Sequence, residues 1–267
     1  MLKDITIGQY IAGNSFVHRL DPRAKLIFTI IYIVLLFCCE SALSYVLCVG
    51  LLFALYMAAG IRIKIAAKSI KAILPLVLFT SVLNMLFIGG DALFTLGFIS
   101  ISKQGVVFAV TMAIRIMVLI CGTSLLTYTT TPIALTDALE RLMAPLAKLH
   151  FPVHELSMMM TITLRFIPTL IDETEKIMSA QKSRGADLDS GGLMDRIKAL
   201  IPIIIPLFVS AFRRADELAL AMECRCYNGG EGRTKMNVLK FKAADVIVLI
   251  FGVLLIAAVW ALNLLPF

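Results

Sequence analysis

The residues of this sequence best suited to recognition chemistry are two arginines, each set between small residues. The runs are Ser183-Arg184-Gly185 and, forty-one residues later, Cys224-Arg225-Cys226. An arginine at a helix C-terminus can simply offset the helix dipole, which stabilises by about 0.3–1 kcal/mol. Small neighbours on both sides allow the guanidinium to approach another surface closely, and its planar fork suits a carboxylate. The spacing therefore favours two docking tips for acidic grooves of a partner, with dipole neutralisation as the simpler alternative.

Other chemistry has little support in the sequence. There is no phosphate-loop lysine, no HExxH and no GxSxG motif. His150 and His154 have helical spacing, but Pro152 interrupts the helix between them. Four of the six cysteines lie in apolar runs, where cysteine behaves as a small hydrophobic residue. We therefore expect no catalytic residue, no metal site and no cofactor, and an intramembrane enzyme is a weaker hypothesis.

The composition is that of an integral membrane protein. Of the 267 residues, 60% are hydrophobic and only 16% are charged, and the mean hydropathy is +0.92; a soluble domain has about a quarter of its residues charged. We predict an all-α membrane protein with about five spans of the length a bilayer requires. The predicted spans are roughly 24–39, 42–60, 73–89, 105–128 and 243–265.

The basic residues predict the orientation of these spans. With the N-terminus in the cytoplasm, 23 of the 25 lysines and arginines fall on the cytoplasmic side, as the positive-inside rule requires. The net charge of +7 is thus a topology signal, and we expect no nucleic-acid partner. Arg115 lies inside a span, where it either meets internal polar partners or snorkels toward the outer surface.

Three regions follow from this pattern. Residues 1–131 form an N-terminal region with four spans, 132–242 a cytoplasmic helical domain, and 243–267 the last span. Two long amphipathic helices are predicted in the middle region, Val153–Arg184 and Leu193–Cys226. The apolar stretch 200–211 within the second helix should be buried on several sides. Residues 61–73 are expected to lie along the inner membrane interface, and 89–105 to form an outer loop that can hold a short hairpin.

The whole sequence resembles a known family, the transmembrane T components of energy-coupling factor transporters, which includes the cobalt- and nickel-type Q proteins. The run HRLDPRAKL at residues 18–26, the charged segment Arg165–Glu175 and the two arginine tips carry the resemblance. It implies a non-catalytic scaffold in a prokaryotic plasma membrane, whose two coupling helices cross. Family tips usually have Ala-Arg-Gly, so Cys226 stands where glycine is usual.

The resemblance also implies the partners. Each tip would contact one of two ABC-type ATPase subunits, and the remaining helical surface would hold a separate substrate-binding S component. Residues expected in this second contact, or in packing of the two coupling helices on each other, are Met158, Met159, Met160, Ile167, Phe208 and Phe212. The imported substrate would be a vitamin or micronutrient. Two alternatives remain, an autonomous carrier or channel and a subunit of a metal-specific cobalt or nickel system.

Overall fold

The computed structural model describes residues 10–89, 92–96, 99–149, 151–186, 192–229 and 239–263. These residues are mainly helical, which confirms the predicted all-α class. The helices are α1 Phe16–Arg19, α2 Pro22–Phe37, α3 Ala42–Ala59, α4 Ile63–Phe87, α5 Lys103–Thr129, α6 Pro132–Met143, α7 Val153–Ser183, α8 Leu193–Glu223 and α9 Ala243–Asn263, with a 3-10 helix at Ala144–Leu149. The exception is an antiparallel pair of short strands, β1 Ala92–Leu96 and β2 Ile99–Ser102, inside the predicted outer loop.

Four of the described helices are long and apolar enough to cross a membrane, where five spans were predicted. They are Ala42–Ala59, Lys64–Phe87, Lys103–Thr129 and Ala243–Asn263. The missing one is α2, which begins at Pro22, two residues before the predicted span, and has only 16 residues. At 1.5 Å per residue it is about 24 Å long, less than a typical hydrocarbon core of about 30 Å.

The described residues divide into two compact units. The first, which we call the membrane unit, contains residues 10–138 and 239–263. The second contains the described residues between 139 and 229, including α7 and α8. Each unit is described separately below.

The core of the membrane unit lies between α2, α3 and α5. Leu35, Leu36 and Cys48 are almost completely buried there. Two tyrosines satisfy their hydroxyls on helix carbonyls, Tyr32 donating to Cys48 O at 3.3 Å and Tyr56 to Cys121 O at 2.8 Å. Because no water is present inside a bilayer, these internal bonds remove the cost of burying the hydroxyls.

The basic segment at 61–73 is continuous, from Ile63 onward, with the third predicted span. It is the first part of α4, which continues through Pro75 to Phe87. The hydroxyls of Ser69 and Tyr128 are 2.6 Å apart, which fastens this first part of α4 to the end of α5. The first part of α4 therefore packs on α5, and its position along the membrane interface stays a prediction.

Arg115 has internal polar partners instead of snorkelling. Its Nε donates to the Tyr45 hydroxyl at 2.9 Å, and its Nη2 donates to Cys39 O at 3.2 Å. The guanidinium also lies 5.9 Å from the centre of the Phe37 ring, within cation–π range. The arginine therefore fixes the turn between α2 and α3 against the middle of α5.

Candidate docking tips

The first tip is the C-terminus of α7, and its backbone is closed by a glycine turn. The Gly185 N–H donates to Lys182 O at 3.0 Å, and the Ala186 N–H donates to Gln181 O at 3.0 Å. Gly185 has a φ of +85°, in the left-handed region. These two bonds and this angle define a Schellman motif, which satisfies carbonyls at the helix end. Arg184 is the last residue before the turn.

The second tip, at the end of α8, has the same backbone. The Cys226 N–H donates to Glu223 O at 2.9 Å, and the Tyr227 N–H donates to Met222 O at 3.0 Å. Cys226 has a φ of +54° and is the one non-glycine residue with positive φ in the described ranges. Cys226 thus occupies the position of Gly185, and Arg225 that of Arg184. The sequence left the effect of this cysteine open, and the structure shows that it preserves the turn.

Both arginines and their small neighbours are exposed. Within the described part of the chain, neither Arg184 nor Arg225 forms an ion pair. The Ser183 hydroxyl donates back to Ser179 O at 3.0 Å, so it is turned toward its own helix. Cys224 and Cys226 are exposed free thiols. Each tip therefore leaves its guanidinium exposed.

The two tips lie at opposite ends of an antiparallel pair. The Gln181 side chain near the end of α7 donates to Pro202 O near the start of α8, at 3.1 Å. Further from the first tip, Glu173 of α7 contacts Ser210 and Arg214 of α8. From Pro202 to Arg225 α8 advances roughly 23 residues, which is on the order of 35 Å at 1.5 Å per residue. Two tips this far apart suit two separate protein surfaces.

Glu173 is the polar centre of the contact between α7 and α8. Its carboxylate accepts a hydrogen bond from the Ser210 hydroxyl and pairs with the Arg214 guanidinium. These contacts, led by the Ser210 hydrogen bond, lower the pKa of Glu173 below its ordinary value, against a smaller opposing effect of desolvation. The charged carboxylate is therefore the form that joins the two helices.

The apolar surface of α8 is mostly uncovered in this chain, contrary to the expectation for residues 200–211. Ile203 is buried, but Phe208 is 60% and Phe212 is 64% exposed. On α7, Met159 is 54% exposed, whereas Met158, Met160 and Ile167 are partly buried. Contact with α7 covers few of these apolar residues, so much of the apolar surface of α8 is exposed in the described part of the chain.

The HRLDPRAKL run has a structural role that sequence reasoning missed. The Asp21 carboxylate caps α2 by accepting from the Arg23 N–H at 2.9 Å. The Asp21 N–H in turn donates to Asp245 Oδ1 of α9 at 2.8 Å, although the two residues are 224 positions apart. Asp245 is only 1% exposed, and its other oxygen accepts from the Lys242 N–H at 2.7 Å. The capping signal at Asp21 was visible in the sequence, but its distant partner was not.

Two cations complete this group of Asp21, Arg23, Lys25 and Asp245, which we call the polar clasp. Lys25 is 7% exposed, and its ammonium donates to Thr129 O at 2.9 Å and His18 O at 3.2 Å. Arg23 pairs with Asp21 at 3.1 Å and donates to Leu239 O at 2.8 Å. The clasp thus joins the starts of α2 and α9 to the end of α5.

The two histidines with helical spacing cannot be compared directly, because one of them lies outside the described residues. His154 lies 3.5 Å from a carboxylate oxygen of Glu140, and His150 lies outside the described residues. No group of three or more potential metal ligands is found in the parts of the chain that the structure describes.

Comparison with known proteins agrees with the sequence resemblance. Residues 13–236 match the family model CbiQ, described as cobalt transport protein. The energy-coupling factor transporter transmembrane protein EcfT of Ruminiclostridium cellulolyticum is 51% identical over 262 residues, 98% of this chain and 97% of that protein. The EcfT protein of Clostridium kluyveri is 51% identical over 96% of each chain, and that of Bacillus subtilis is 44% identical over 98% of this chain and 100% of its own.

These matches span the membrane helices, the polar clasp and most of the second unit. The family model covers most of the chain, and the relatives have this identity over almost its whole length. One conclusion follows. The chain belongs to the CbiQ family of transport proteins and, within it, to the transmembrane components of energy-coupling factor transporters.

Proposed function

We propose that this protein is the scaffold of an ATP-driven importer, in which each arginine tip binds one of two ATPase subunits. ATP hydrolysis by these subunits would be transmitted through α7 and α8 to a separate, exchangeable S component that binds a vitamin or micronutrient. The observation that carries the proposal is the repetition of one backbone turn at both tips, with an exposed arginine at the same position in each. This chain needs no catalytic site of its own, because ATP would be hydrolysed by the ATPase subunits.

The charge distribution supports a cytoplasmic position for the tips. Lys64, Lys68 and Lys71 are exposed at the start of α4, on the side that the positive-inside rule assigns to the cytoplasm. We therefore place the N-terminus and both tips on the cytoplasmic side of the plasma membrane, where ATP and the ATPases are found.

The exposed apolar surface of α8 is the proposed contact for the S component. Phe208 and Phe212 are neighbours on this surface, with ring centroids 5.9 Å apart. Large aromatic side chains are enriched where protein interfaces have their strongest contacts. Because the S component would hold the substrate, this chain needs no substrate pocket of its own.

The test of ATPase docking is co-purification with substitutions at the tips. Arg184→Ala and Arg225→Ala should each weaken binding of the ATPases by about 2–5 kcal/mol if the guanidinium becomes buried against a carboxylate. Lysine at either position should restore little, because it keeps the charge but loses the planar fork. Arg165→Ala and Arg213→Ala are matched controls, since both arginines are exposed on α7 and α8 away from the tips.

Retention of both ATPases and normal uptake by the double variant Arg184→Ala/Arg225→Ala would refute the docking proposal. An equal loss in the control variants would show a general charge effect instead. Uptake measured with different S components, and separately with cobalt or nickel, distinguishes a shared vitamin module from a metal-specific system. Uptake by the chain alone in vesicles would instead indicate an autonomous carrier.

A further inference from the structure

The membrane unit contains an apolar cavity of about 320 Å³ between α2, α3, α5 and α9. On one side the Tyr32 ring packs over Gly122, so closely that a Cβ there would lie 2.6 Å from a ring carbon. On the other side Ala54 and Ala58 contribute only methyl groups. The small side chains on α3 and the absence of a side chain at Gly122 thus leave room that the helices themselves do not fill.

The polar groups in the lining already have partners. The Lys25 ammonium donates to Thr129 O and His18 O. The Thr29 hydroxyl donates to Lys25 O at 2.8 Å, and the Thr129 hydroxyl donates to Leu125 O at 2.8 Å. A water molecule needs two to four polar partners to remain in such a place. The cavity therefore suits an apolar occupant.

The cavity opens sideways, between helices that cross the membrane. Ala54 and Ala58 are exposed on α3, and Phe251 is 47% exposed on α9. The groups that meet this opening in a bilayer are the hydrocarbon chains of lipids. An empty cavity would lose the dispersion contacts of its walls, so a chain from the bilayer can stabilise it.

A hydrocarbon chain is the occupant that the surroundings supply. The lining is almost wholly apolar, and the opening lies between helices that cross the membrane. Lipid chains are present at such an opening whether or not a partner subunit is bound. The crosslinking experiment below distinguishes a lipid chain from a partner's side chains.

We propose that this cavity binds one acyl chain of a membrane phospholipid, held between α3 and α9 above the polar clasp. The acyl chain would fill the space between α3 and the rest of the membrane unit. Its recognition depends on shape and apolar contact, because the polar groups of the lining are already paired. The proposal does not depend on the partners or the substrate of the transporter.

The test is photo-crosslinking of the full chain in phosphatidylcholine vesicles that contain a lipid with a diazirine in the middle of its acyl chain. Tyr32 and Leu125 line the cavity but are only 4% and 7% exposed, so bulk lipid outside the protein does not reach them. Leu35 and Leu36 are also buried, at 1% and 0% exposed, but do not line it. We expect crosslinks on Tyr32 and Leu125 at least about tenfold above those on Leu35 and Leu36, because close-packed interiors exclude the probe elsewhere.

A matched pair of variants makes the assignment specific. Ala54→Phe/Ala58→Phe should fill the cavity and remove the crosslinks on Tyr32 and Leu125. Val46→Phe/Met57→Phe should leave them unchanged, since Val46 and Met57 are exposed on α3 but do not line the cavity. Ala58→Leu is a milder filling variant if the double change prevents folding, as judged by size-exclusion chromatography, and it should reduce the same crosslinks.

Three results would overturn the proposal. The first is labelling of Tyr32 and Leu125 no greater than that of Leu35 and Leu36. The second is labelling that persists in a folded cavity-filling variant. The third is labelling that disappears when the partner subunits assemble on the chain, which would show that a partner's side chains occupy the cavity instead of a lipid.

Discussion

At the scale of single residues, the tips depend on one backbone angle. Gly185 adopts a φ of +85° at no steric cost, whereas Cys226 adopts +54° in a region that disfavours side chains. A strained angle of this kind costs on the order of 1 kcal/mol and persists because the surrounding hydrogen bonds require it. The turn at Cys226 is closed by the same two backbone bonds as at Gly185. The tips are therefore equivalent in backbone but not in stability.

Exchange of the two turn residues tests this equivalence. Cys226→Gly should keep the turn and change the free energy of unfolding by about 1 kcal/mol or less, since relief of strain is offset by the greater freedom of glycine in the unfolded chain. Gly185→Ala should destabilise by about 1–2 kcal/mol, although a Cβ there meets no atom within 4 Å. Gly192→Ala is the control, because its φ is −68°. Thermal unfolding of the purified chain measures these changes.

Loss of ATPase binding in a stable Cys226→Gly variant would contradict this account. It would show that the Cys226 thiol itself contacts the partner, beyond its role in the turn.

At the scale of secondary-structure elements, α7 and α8 are joined by a carboxylate whose pKa is lowered. Because the folded pKa of Glu173 lies below its unfolded value of about 4.3, its contribution to stability is fully present above that value. The contribution is lost as the pH falls through the lowered folded pKa. Since the pair is partly exposed, the contribution should be about 1 kcal/mol or less.

The lowered pKa of Glu173 predicts a specific dependence of thermal stability on pH. Between pH 6 and pH 3 the wild-type chain should lose thermal stability, and Glu173→Gln should lose less, because its amide does not titrate. Glu175→Gln is a nearby control that should follow the wild type. Circular dichroism of the full chain in detergent records the unfolding midpoints. Equal slopes for the wild type and Glu173→Gln would exclude Glu173 as the source.

The ends of the elements could be predicted where the chain carries a strong local signal. Pro152 and Gly185 bracket α7, and the helix begins at Val153 and ends at Ser183, within one residue of the prediction. Local signals did not predict that α4 continues through Pro75, because its tether to Tyr128 comes from another helix. They also did not show that the apolar face of α8 is left uncovered, since periodicity indicates an apolar face but not what covers it.

At the scale of the whole molecule, composition was enough to predict a membrane protein, but not the pairing of its distant parts. The contact between Asp21 and Asp245 joins residues 224 positions apart, and nothing in either local pattern specifies the other. The Cys226 turn was likewise hidden, because cysteine gives no signal for a left-handed backbone. Contacts of this kind form only when distant segments fold together, so a local sequence pattern does not reveal them.

Asp245 should be the most sensitive residue of the polar clasp. Asp245→Ala removes two acceptor oxygens and leaves the Asp21 N–H and the Lys242 N–H without their partner, at a cost of about 1–3 kcal/mol for each group that stays buried. Asp245→Asn keeps one acceptor oxygen and should cost less. Asp216→Ala, at an exposed position of α8, should have little effect. Unfolding midpoints of these variants in detergent check the order, and an Asp245→Ala chain as stable as Asp216→Ala would contradict it.

The short α2 leads to a prediction about depth in the membrane. Lys25 of α2 bonds to Thr129 at one end of α5, while Cys39, just after α2, bonds to Arg115 of the same helix. From Thr129 to Arg115 α5 rises about 21 Å, which is some 9 Å less than a hydrocarbon core of about 30 Å. The turn between α2 and α3 should therefore lie beneath the outer surface, and α5 should continue past it.

Cys38 lies on that turn and is exposed in the protein, so its reactivity reports this depth. A charged, membrane-impermeant maleimide added outside intact cells should label Cys38 slowly, because a charged reagent does not enter the hydrocarbon region. Gly89→Cys should react quickly, since Gly89 is exposed beyond the end of α4 and a Cβ there meets no atom within 4 Å. Cys224 and Cys226 should react only after the membrane is opened, if the tips are cytoplasmic. Rapid labelling of Cys38 would instead show that the bilayer thins around the α2–α3 turn, so that water reaches Arg115.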